Sequence, residues 1–445
     1  MKLRSLLAAA PLLALASAQG MPTLDVRTDR PPVDYAIGEP IVFLASATEN
    51  GEPAEVWLTY EIVRDGSAEK IHGRLHAMPG VPAAVTNAME EPGFLRITVA
   101  ETDADGAVIR RQNRSNRFTA SAGAAVDAIK SVAEPEDFDA FWKTVVDEVA
   151  AVDLTKASIG PVPHEMQDRF PGRTMLWFSV PFDVAQTNRA PATGYVSFPA
   201  SADSDGGTTL PLSVHFFGYG MGGQEPSQGF HAGDRIMLEV NAHGFELGRD
   251  QAYYTHFMNS VSNGGEGGGY GFRVDENADP KTCYFRGMVA RDLLALRMAC
   301  EILGLWDGKS IAVSGGSQGA FQSLAVAALH PSVTDVSIEV PWLCDLGGNA
   351  VYGRTGGWVP RYQPSLRYFD SVNFGKRVKA PVSIVRCGLA DESCPPAGIT
   401  LLYNHLGGSK SIRYVQNSSH LDFGKVPDSV QQQSRSGGSA DTPKE

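Results

Sequence analysis

The sequence predicts the α/β fold class, a mostly parallel sheet with helices on both faces, preceded by a small all-β sandwich. Three observations point there. From residue 134 to about 425, short β-branched runs alternate with longer apolar-periodic ones, the pattern of a parallel sheet crossed over by helices. Before residue 120 every periodic run is short and strand-like, and turn residues divide them. At Ser310–Pro331 a β-branched run, a glycine turn and an apolar helix follow one another directly, so strand and helix are covalently adjacent.

Taken in order, the chain opens with Lys2 and Arg4, an apolar run from Leu6 to Ala16, and Ala16-Ser17-Ala18 before Gln19. A basic start, an apolar run too short to span a bilayer and an A-x-A site make residues 1–18 an expected secretory signal peptide. The protein is therefore expected to be secreted or periplasmic. No Cys follows the run, and no other apolar run approaches the ~18 residues of a membrane span.

Residues 24–120 carry the strand-like runs Ile41–Ala47, Val56–Val63, Phe94–Ala100 and Ala107–Arg110, with Asn50-Gly51 and Asp105-Gly106 as hairpin signals. They predict a sandwich of immunoglobulin or fibronectin type. Such a module either binds carbohydrate or only orients its neighbour; no array of aromatic residues forms a sugar platform, which favours a structural accessory role. Residues 121–133 are rich in small residues and read as a linker.

Within 134–425, Glu134–Trp142 leads into an amphipathic helix over Lys143–Val152, its acidic start matched to the helix dipole. Strands are expected at Thr174–Val180, Ala192–Phe198 and Leu210–Phe217, the last running into the glycine loop Gly218–Gly223. Residues 259–272 have too many glycines for a core element and are expected to form either a mobile loop at the mouth of a site or an idle surface loop. Cys283–Gly304 reads as a strong helix with Met288, Val289, Leu293, Leu294, Leu296, Met298 and Ile302 on its apolar face. After the turn at Trp306-Asp307-Gly308 come the strand Ser310–Ser314, the helix Ala320–His330, the strands Val333–Val340 and Ala380–Arg386, a helix over 398–406 and a last strand at Lys410–Val415. The tail, 426–445, is polar and expected to be disordered.

The composition narrows the chemistry. Hydrophobic residues make up 43% and charged ones 20% of 445 residues, enough for a large core, and the formal net charge of −12 becomes −14 without Lys2 and Arg4. Such an acidic chain suits neither a nucleic-acid backbone nor an anionic membrane, so a neutral substrate is expected. Five cysteines, all in the second half, form no disulfide framework; Cys387 and Cys394, which flank one loop, are the pair to examine for a single bridge. His164-Glu165 lacks the second His of a zinc helix, and Gly218–Gly223 lacks the Lys-Ser/Thr of a phosphate-binding loop, so neither metal nor nucleotide cofactor is expected.

Gly315-Gly316-Ser317-Gln318-Gly319 fits G-x-S-x-G, in which a serine sits on a strained strand-to-helix turn with its hydroxyl exposed. The flanking glycines keep that turn free of side chains where strand and helix crowd together. A serine nucleophile needs a base within hydrogen-bond reach, itself oriented by a carboxylate, and on this pattern the chain order is Ser, then Asp or Glu, then His. His330, His405 and His420 follow Ser317; the first ends the nucleophile's own helix, the second lies inside a helix, and His420 lies in a loop just past a strand. His420 is the expected general base. Of the acids between them, Asp391 follows a buried strand and precedes the elements that carry His420, and it fits best; Asp345 is the runner-up, one element too early. The oxyanion-hole donors expected on this pattern are the backbone N–H of Gln318 and that of Tyr219, in the loop after the third core strand.

Gly315–Gly319, Val340–Asp345, Tyr284–Gly287, His215–Tyr219, Gly388–Asp391 with Cys394–Pro396, and Asp137–Trp142 together resemble the acetyl xylan esterase and cephalosporin C deacetylase family of α/β-hydrolases, over roughly residues 134–425. The resemblance implies removal of acetyl groups from O-acetylated carbohydrate, oligosaccharide or polysaccharide, with Ser317, Asp391 and His420 as nucleophile, acid and base. It also implies a restricted acyl pocket shaped by Pro341 and Trp342, and a homo-oligomer. Three features depart from the family: Ala320 stands where a further glycine is usual, Leu421 rather than an acidic residue follows His420, and the N-terminal β-domain is absent from the compact family enzymes. Another serine hydrolase, a peptidase or general esterase, and a carbohydrate-binding protein with an inactive hydrolase domain remain alternatives.

Overall fold

The computed structural model of the chain describes residues 21–111, 113–182, 190–202, 205–422 and 430–438. The expected signal peptide lies outside the described residues.

The N-terminal strands form two four-stranded antiparallel sheets. Thr23–Thr28, Ile41–Glu49, Glu52–Ala54 and Ala83–Asn87 make one; Arg117–Ala124, Gly93–Thr102, Val56–Arg64 and Ile71–Ala77, in that spatial order, make the other. Between them Phe43, Leu58, Ile97, Val99 and Phe118 are buried, as the period-two alternation of each strand requires. Asn50 and Gly51 both take positive φ, 52° and 88°, and Glu49 pairs with Glu52 across them, the two-residue hairpin the sequence predicts. The expected strand at Ala107–Arg110 shrinks to Arg110–Arg111, because the Asp103 carboxylate accepts from the N–H groups of Asp105 and Ala107 and holds that segment as a turn.

The expected linker is partly a strand. Ser121–Ala124 complete Arg117–Ala124 and are buried, Ala122 and Ala124 in the core of the sandwich and Ser121 against the second domain. Their small size serves close approach, since a Cβ at Gly123 would overlap the Val126 side chain and lie 3.0 Å from the Phe94 ring.

The second domain is built on a ten-stranded sheet: β1 (Ser158–Pro161), β2 (Arg173–Val180), β3 (Ala192–Pro199), β4 (Leu210–Phe216), β5 (Ile236–Val240), β6 (Trp306–Gly316), β7 (Val333–Glu339), β8 (Val382–Gly388), β9 (Lys410–Val415) and β10 (Gln432–Gly437). Their spatial order is β1-β2-β3-β5-β4-β6-β7-β8-β9-β10, parallel from β5 through β9 and antiparallel at both ends. The helices Phe138–Ala150, Tyr284–Glu301, Gln318–Leu329, Ser371–Gly375 and Pro396–His405 pack successively against one another along the sheet. On the opposite face β7 and β9 present Ser337 and Arg413 to solvent, in keeping with their alternation of apolar and polar residues, while Val385 of β8 is an exposed apolar exception. The helix Phe138–Ala150 begins inside the acidic segment, with Trp142 fully buried. Ile302, expected on the apolar face of the Cys283–Gly304 helix, falls just past its end at Glu301 and is exposed.

Of the tail expected to be disordered, residues 430–438 are described and contain a strand; the rest of it lies outside the described residues. Gln432–Gly437 extends the sheet antiparallel to β9. Its sequence has no apolar alternation because the strand is held by the backbone ladder and by glutamine side chains. Gln431 Oε1 accepts from the Thr28 N–H at 3.0 Å, and Gln433 Oε1 from the Val33 N–H at 2.9 Å, which fastens this strand to the N-terminal domain.

Candidate active site

All the expected site residues gather at the C-terminal ends of the parallel strands, where open α/β sheets place their ligands. Ser317 follows β6 directly and takes φ 55° and ψ −115°, the strained conformation of a serine pushed out at a sharp turn. The two glycines that flank it are sterically required. A Cβ at Gly315 would lie 2.5 Å from the Gly319 carbonyl carbon and 2.7 Å from the Phe216 carbonyl oxygen, and one at Gly319 would overlap that same oxygen. Four backbone contacts lock the elbow: the Ser317 N–H donates to Glu339 O at 2.9 Å, and Ser317 O accepts from Ala320 at 3.1 Å, from Phe321 at 3.2 Å and from Trp342 at 3.1 Å.

Asp391 and His420 reach the serine from the ends of β8 and β9. His420 Nε2 is 3.1 Å from Ser317 Oγ, and its Nδ1 is 2.8 Å from Asp391 Oδ2. A carboxylate can only accept, so Nδ1 carries the proton and Nε2 is left to accept the serine hydroxyl. The other Asp391 oxygen accepts from the N–H groups of Ser393 and Cys394, both at 2.8 Å, which leaves the buried carboxylate fully satisfied. Asp345 lies elsewhere. It pairs with Arg354 through both oxygens, at 2.6 and 2.7 Å, and its own N–H donates to Asp370.

His330 caps the helix Gln318–Leu329, and His405 ends another helix with Nδ1 on Leu401 O. Neither meets Ser317. Cys387 and Cys394 are both free, buried thiols, and burial pushes both well above the ordinary thiol range. Asp391, Cys394 and His420 hold donor atoms within 4.8 Å of one another, but Asp391 and His420 are already hydrogen-bonded to each other.

Tyr219 and Gln318 stand where the oxyanion donors are expected, one in the loop after β4 and one opening the helix after Ser317. Among the described residues neither N–H has a hydrogen-bond partner, so both are available. The segment 259–272 proves to be part of this construction. Residues 259–262 close the helix Gln251–Ser262, and Tyr270 is fully buried under the Tyr219 loop. Its ring stacks on Tyr219 at 3.9 Å and 3°; its hydroxyl accepts from the Gly220 N–H at 2.9 Å and donates to Gln318 Oε1 at 2.6 Å. One hydroxyl thus ties the Tyr219 loop to the start of the helix after Ser317. From Gln318 the chain of bonds continues through Gln322 to the buried carboxylate of Asp292.

Arg386 was not legible as a site residue. A register shift in β8 between Ile384 and Cys387 breaks the alternation, and both Arg386 and Cys387 are buried. The redirected guanidinium pairs with Glu339 through Nε, while Nη1 donates to Ser418 Oγ at 3.0 Å and Ser419 O at 2.7 Å, and Nη2 to His420 O at 3.3 Å. It therefore holds the loop of His420 against Glu339, whose carbonyl accepts from the Ser317 N–H. The only advance sign is an arginine at the end of a buried strand.

Pro341 and Trp342 line a narrow cavity of about 40 Å³ with Cys344, Gly357 and Cys394, beside the nucleophile rather than at it. Trp342 is buried, donates from its ring N–H to Trp358 O at 2.6 Å and meets Tyr219 edge-on at 5.5 Å. With Phe272 and Trp358 it forms an aromatic wall that nothing in the local sequence announces.

The sequence profile of the acetyl xylan esterase (AXE1) family matches residues 128–351 and 362–434. The acetyl esterase Axe7A of Xylanibacter ruminicola is 27% identical over a 402-residue alignment that covers 87% of this chain and 84% of that protein. That span is longer than the second domain, so the likeness reaches into the N-terminal one. Two solved structures share the fold. An acetyl xylan esterase from Paenibacillus sp. R4 has a TM-score of 0.52 at 23% identity, over 66% of this chain and 93% of that one. Acetyl xylan esterase 1 from Thermoanaerobacterium sp. JW/SL YS485 has a TM-score of 0.50 at 21% identity, over 66% and 92%.

Proposed function

The chain belongs to the acetyl xylan esterase family and is a carbohydrate acetylesterase, and from that premise we propose that it deacetylates xylan or xylo-oligosaccharides through an acyl-enzyme on Ser317. The observation that carries the proposal is the hydrogen-bonded line Ser317–His420–Asp391, set on a strained elbow with two unengaged N–H groups beside it.

His420 Nε2 takes the hydroxyl proton as Ser317 Oγ attacks the acetyl carbonyl carbon. The resulting oxyanion is held by the N–H groups of Gln318 and Tyr219, donors fixed in place before the charge develops. Asp391 keeps the ring in the required tautomer and stabilises the imidazolium. The imidazolium returns its proton to the departing sugar oxygen. Water, deprotonated by the same histidine, then cleaves the acyl-enzyme and releases acetate. Trp342, hydrogen-bonded to the Ser317 carbonyl and backed by Pro341, supports a restricted acyl side that admits acetyl and excludes longer chains. The segment from Lys2 to Ala18 supports export, which would bring the enzyme to polymeric substrate.

The test is acetate release from acetylated xylo-oligosaccharides by the wild-type protein beside Ser317→Ala. Release that falls by at least about 10⁴-fold in the variant is the expected result. Cleavage of a small aryl acetate without release from the oligosaccharide would discard xylan and keep an esterase. Inactivity on both would refute the proposal.

A further inference from the structure

The N-terminal domain is fastened to the two loops that carry Asp391 and His420. Ser121 and Gln416 exchange two hydrogen bonds, at 2.9 and 2.7 Å, and Ser121 Oγ donates to Leu389 O at 2.5 Å. The Thr119 N–H donates to Asn417 Oδ1 at 3.2 Å, and Arg96 pairs with Glu392 at 3.3 Å. The docked sheet leaves an open cleft of about 880 Å³ between its outward face and those loops, and His420 lines that cleft.

The cleft is built of groups suited to hydroxyl-rich ligands. Strand alternation turns Val56, Leu58 and Ile62 into the sandwich core and Thr59 and Glu61 outward. On the neighbouring strands Arg96, Thr98, Arg117 and Thr119 line the same wall. Opposite them Leu421, which follows the base, is 78% exposed and offers an apolar surface at the mouth of the site. Hydroxyls and guanidinium groups on one side and an aliphatic side chain on the other match the two kinds of surface a pyranose ring presents, its hydroxyl rim and its C–H face. The volume is far larger than an acetyl group needs and lies near the top of the ~300–1,000 Å³ range of ligand pockets.

Resting on the deacetylase reading above, we propose that the outward face of the sheet Arg117–Ala124, Gly93–Thr102, Val56–Arg64 and Ile71–Ala77 is a glycan-binding wall. It holds the neutral sugar units that flank the acetylated one, so the domain is part of the substrate site. The β-branched triple variant Thr59→Val/Thr98→Val/Thr119→Val removes the hydroxyls and keeps the shape and strand preference of the wall. Wild-type kcat/KM is expected to rise from acetylated xylose to acetylated xylotetraose. In the triple variant that rise flattens, with KM for the tetraose up about tenfold or more and kcat/KM for an aryl acetate within twofold. Calorimetric titration of Ser317→Ala with unacetylated xylotetraose, with and without the three substitutions, reads the wall separately from the chemistry. Equal titrations and equal chain-length dependence in the two backgrounds overturn the wall and leave the deacetylase intact. Binding that the triple variant loses, in a protein that releases no acetate from any xylo-oligosaccharide, keeps the wall and overturns the deacetylase reading.

Discussion

Deleting a single oxygen, in Tyr270→Phe, tests whether the two halves of the oxyanion site act as one. The ring stays stacked on Tyr219, and the Tyr219 hydroxyl keeps its bond to Tyr270 O at 3.0 Å, so packing is preserved. What disappears is the link between the Gly220 N–H and the buried Gln318 side chain. Burial holds the Tyr270 phenol far above its ordinary titration range, so in the wild type it remains a donor at every working pH. Leaving the Gln318 oxygen without that donor costs about 1–3 kcal/mol of stability, a fall of a few degrees in Tm for a domain of this size. Losing an oxyanion donor outright costs about 2.7–4 kcal/mol of transition-state stabilisation. A loosened Tyr219 loop forfeits part of that, so kcat on an aryl acetate should drop about tenfold with KM unchanged. Steady-state kinetics beside thermal melting is the assay. A variant whose Tm falls as expected while kcat stays within twofold of wild type would show that the hydroxyl serves packing alone.

Two further outcomes follow from the site. Asp391→Asn should keep its fold and lose on the order of 10⁴ in kcat, because an amide in that place cannot hold the Nδ1–H tautomer; unchanged turnover would remove Asp391 from the acid role. His243, fully buried between the Gly220 carbonyl and the Tyr284 hydroxyl, is held to about 4 chiefly by burial. Between pH 6.5 and 4 the unfolded chain therefore binds a proton that the native one refuses. Stability should fall as the pH drops through that window, by roughly 3 kcal/mol at its lower end, and denaturant midpoints of His243→Gln should fall less steeply. Parallel curves for variant and wild type would contradict this.

The serine elbow was legible because its determinants are contiguous: β6, two glycines and a helix lie within one short stretch, and steric exclusion at Gly315 and Gly319 acts on that stretch itself. Asp391 and His420 were legible by chain order, a consequence of parallel strands delivering their loops to one edge. What escaped depends on contacts between distant segments or on a local break of period. Arg386 reaches the base's loop only because β8 bulges, and a period-two pattern cannot foresee its own interruption. Tyr270 sits in a glycine-rich segment whose composition argues for exposure, yet the glycines fold around one buried ring. The polar strand Gln432–Gly437 carries no apolar signal because glutamine side chains bonded to the N-terminal domain help hold it.

The same long-range contacts change what the N-terminal domain is. A free accessory module would touch its neighbour through an exposed linker, whereas Ser121 is buried and bonded at once to Leu389, two residues before the acid, and to Gln416, four before the base. Gln431 and Gln433 bind the same domain from the far end of the chain. Arg386 then carries this restraint toward the centre, because it grips the backbone of Ser419 and His420 and pairs with Glu339, whose carbonyl anchors Ser317. The loops that carry Asp391 and His420 are thus clamped on two sides, by the guanidinium within and by the sandwich without. Precise alignment of such groups is where small displacements are most costly to catalysis. On the proposals above, one docked domain would restrain the loops of Asp391 and His420 through Ser121 and wall the cleft in front of them through the neighbouring residues Thr98 and Thr119.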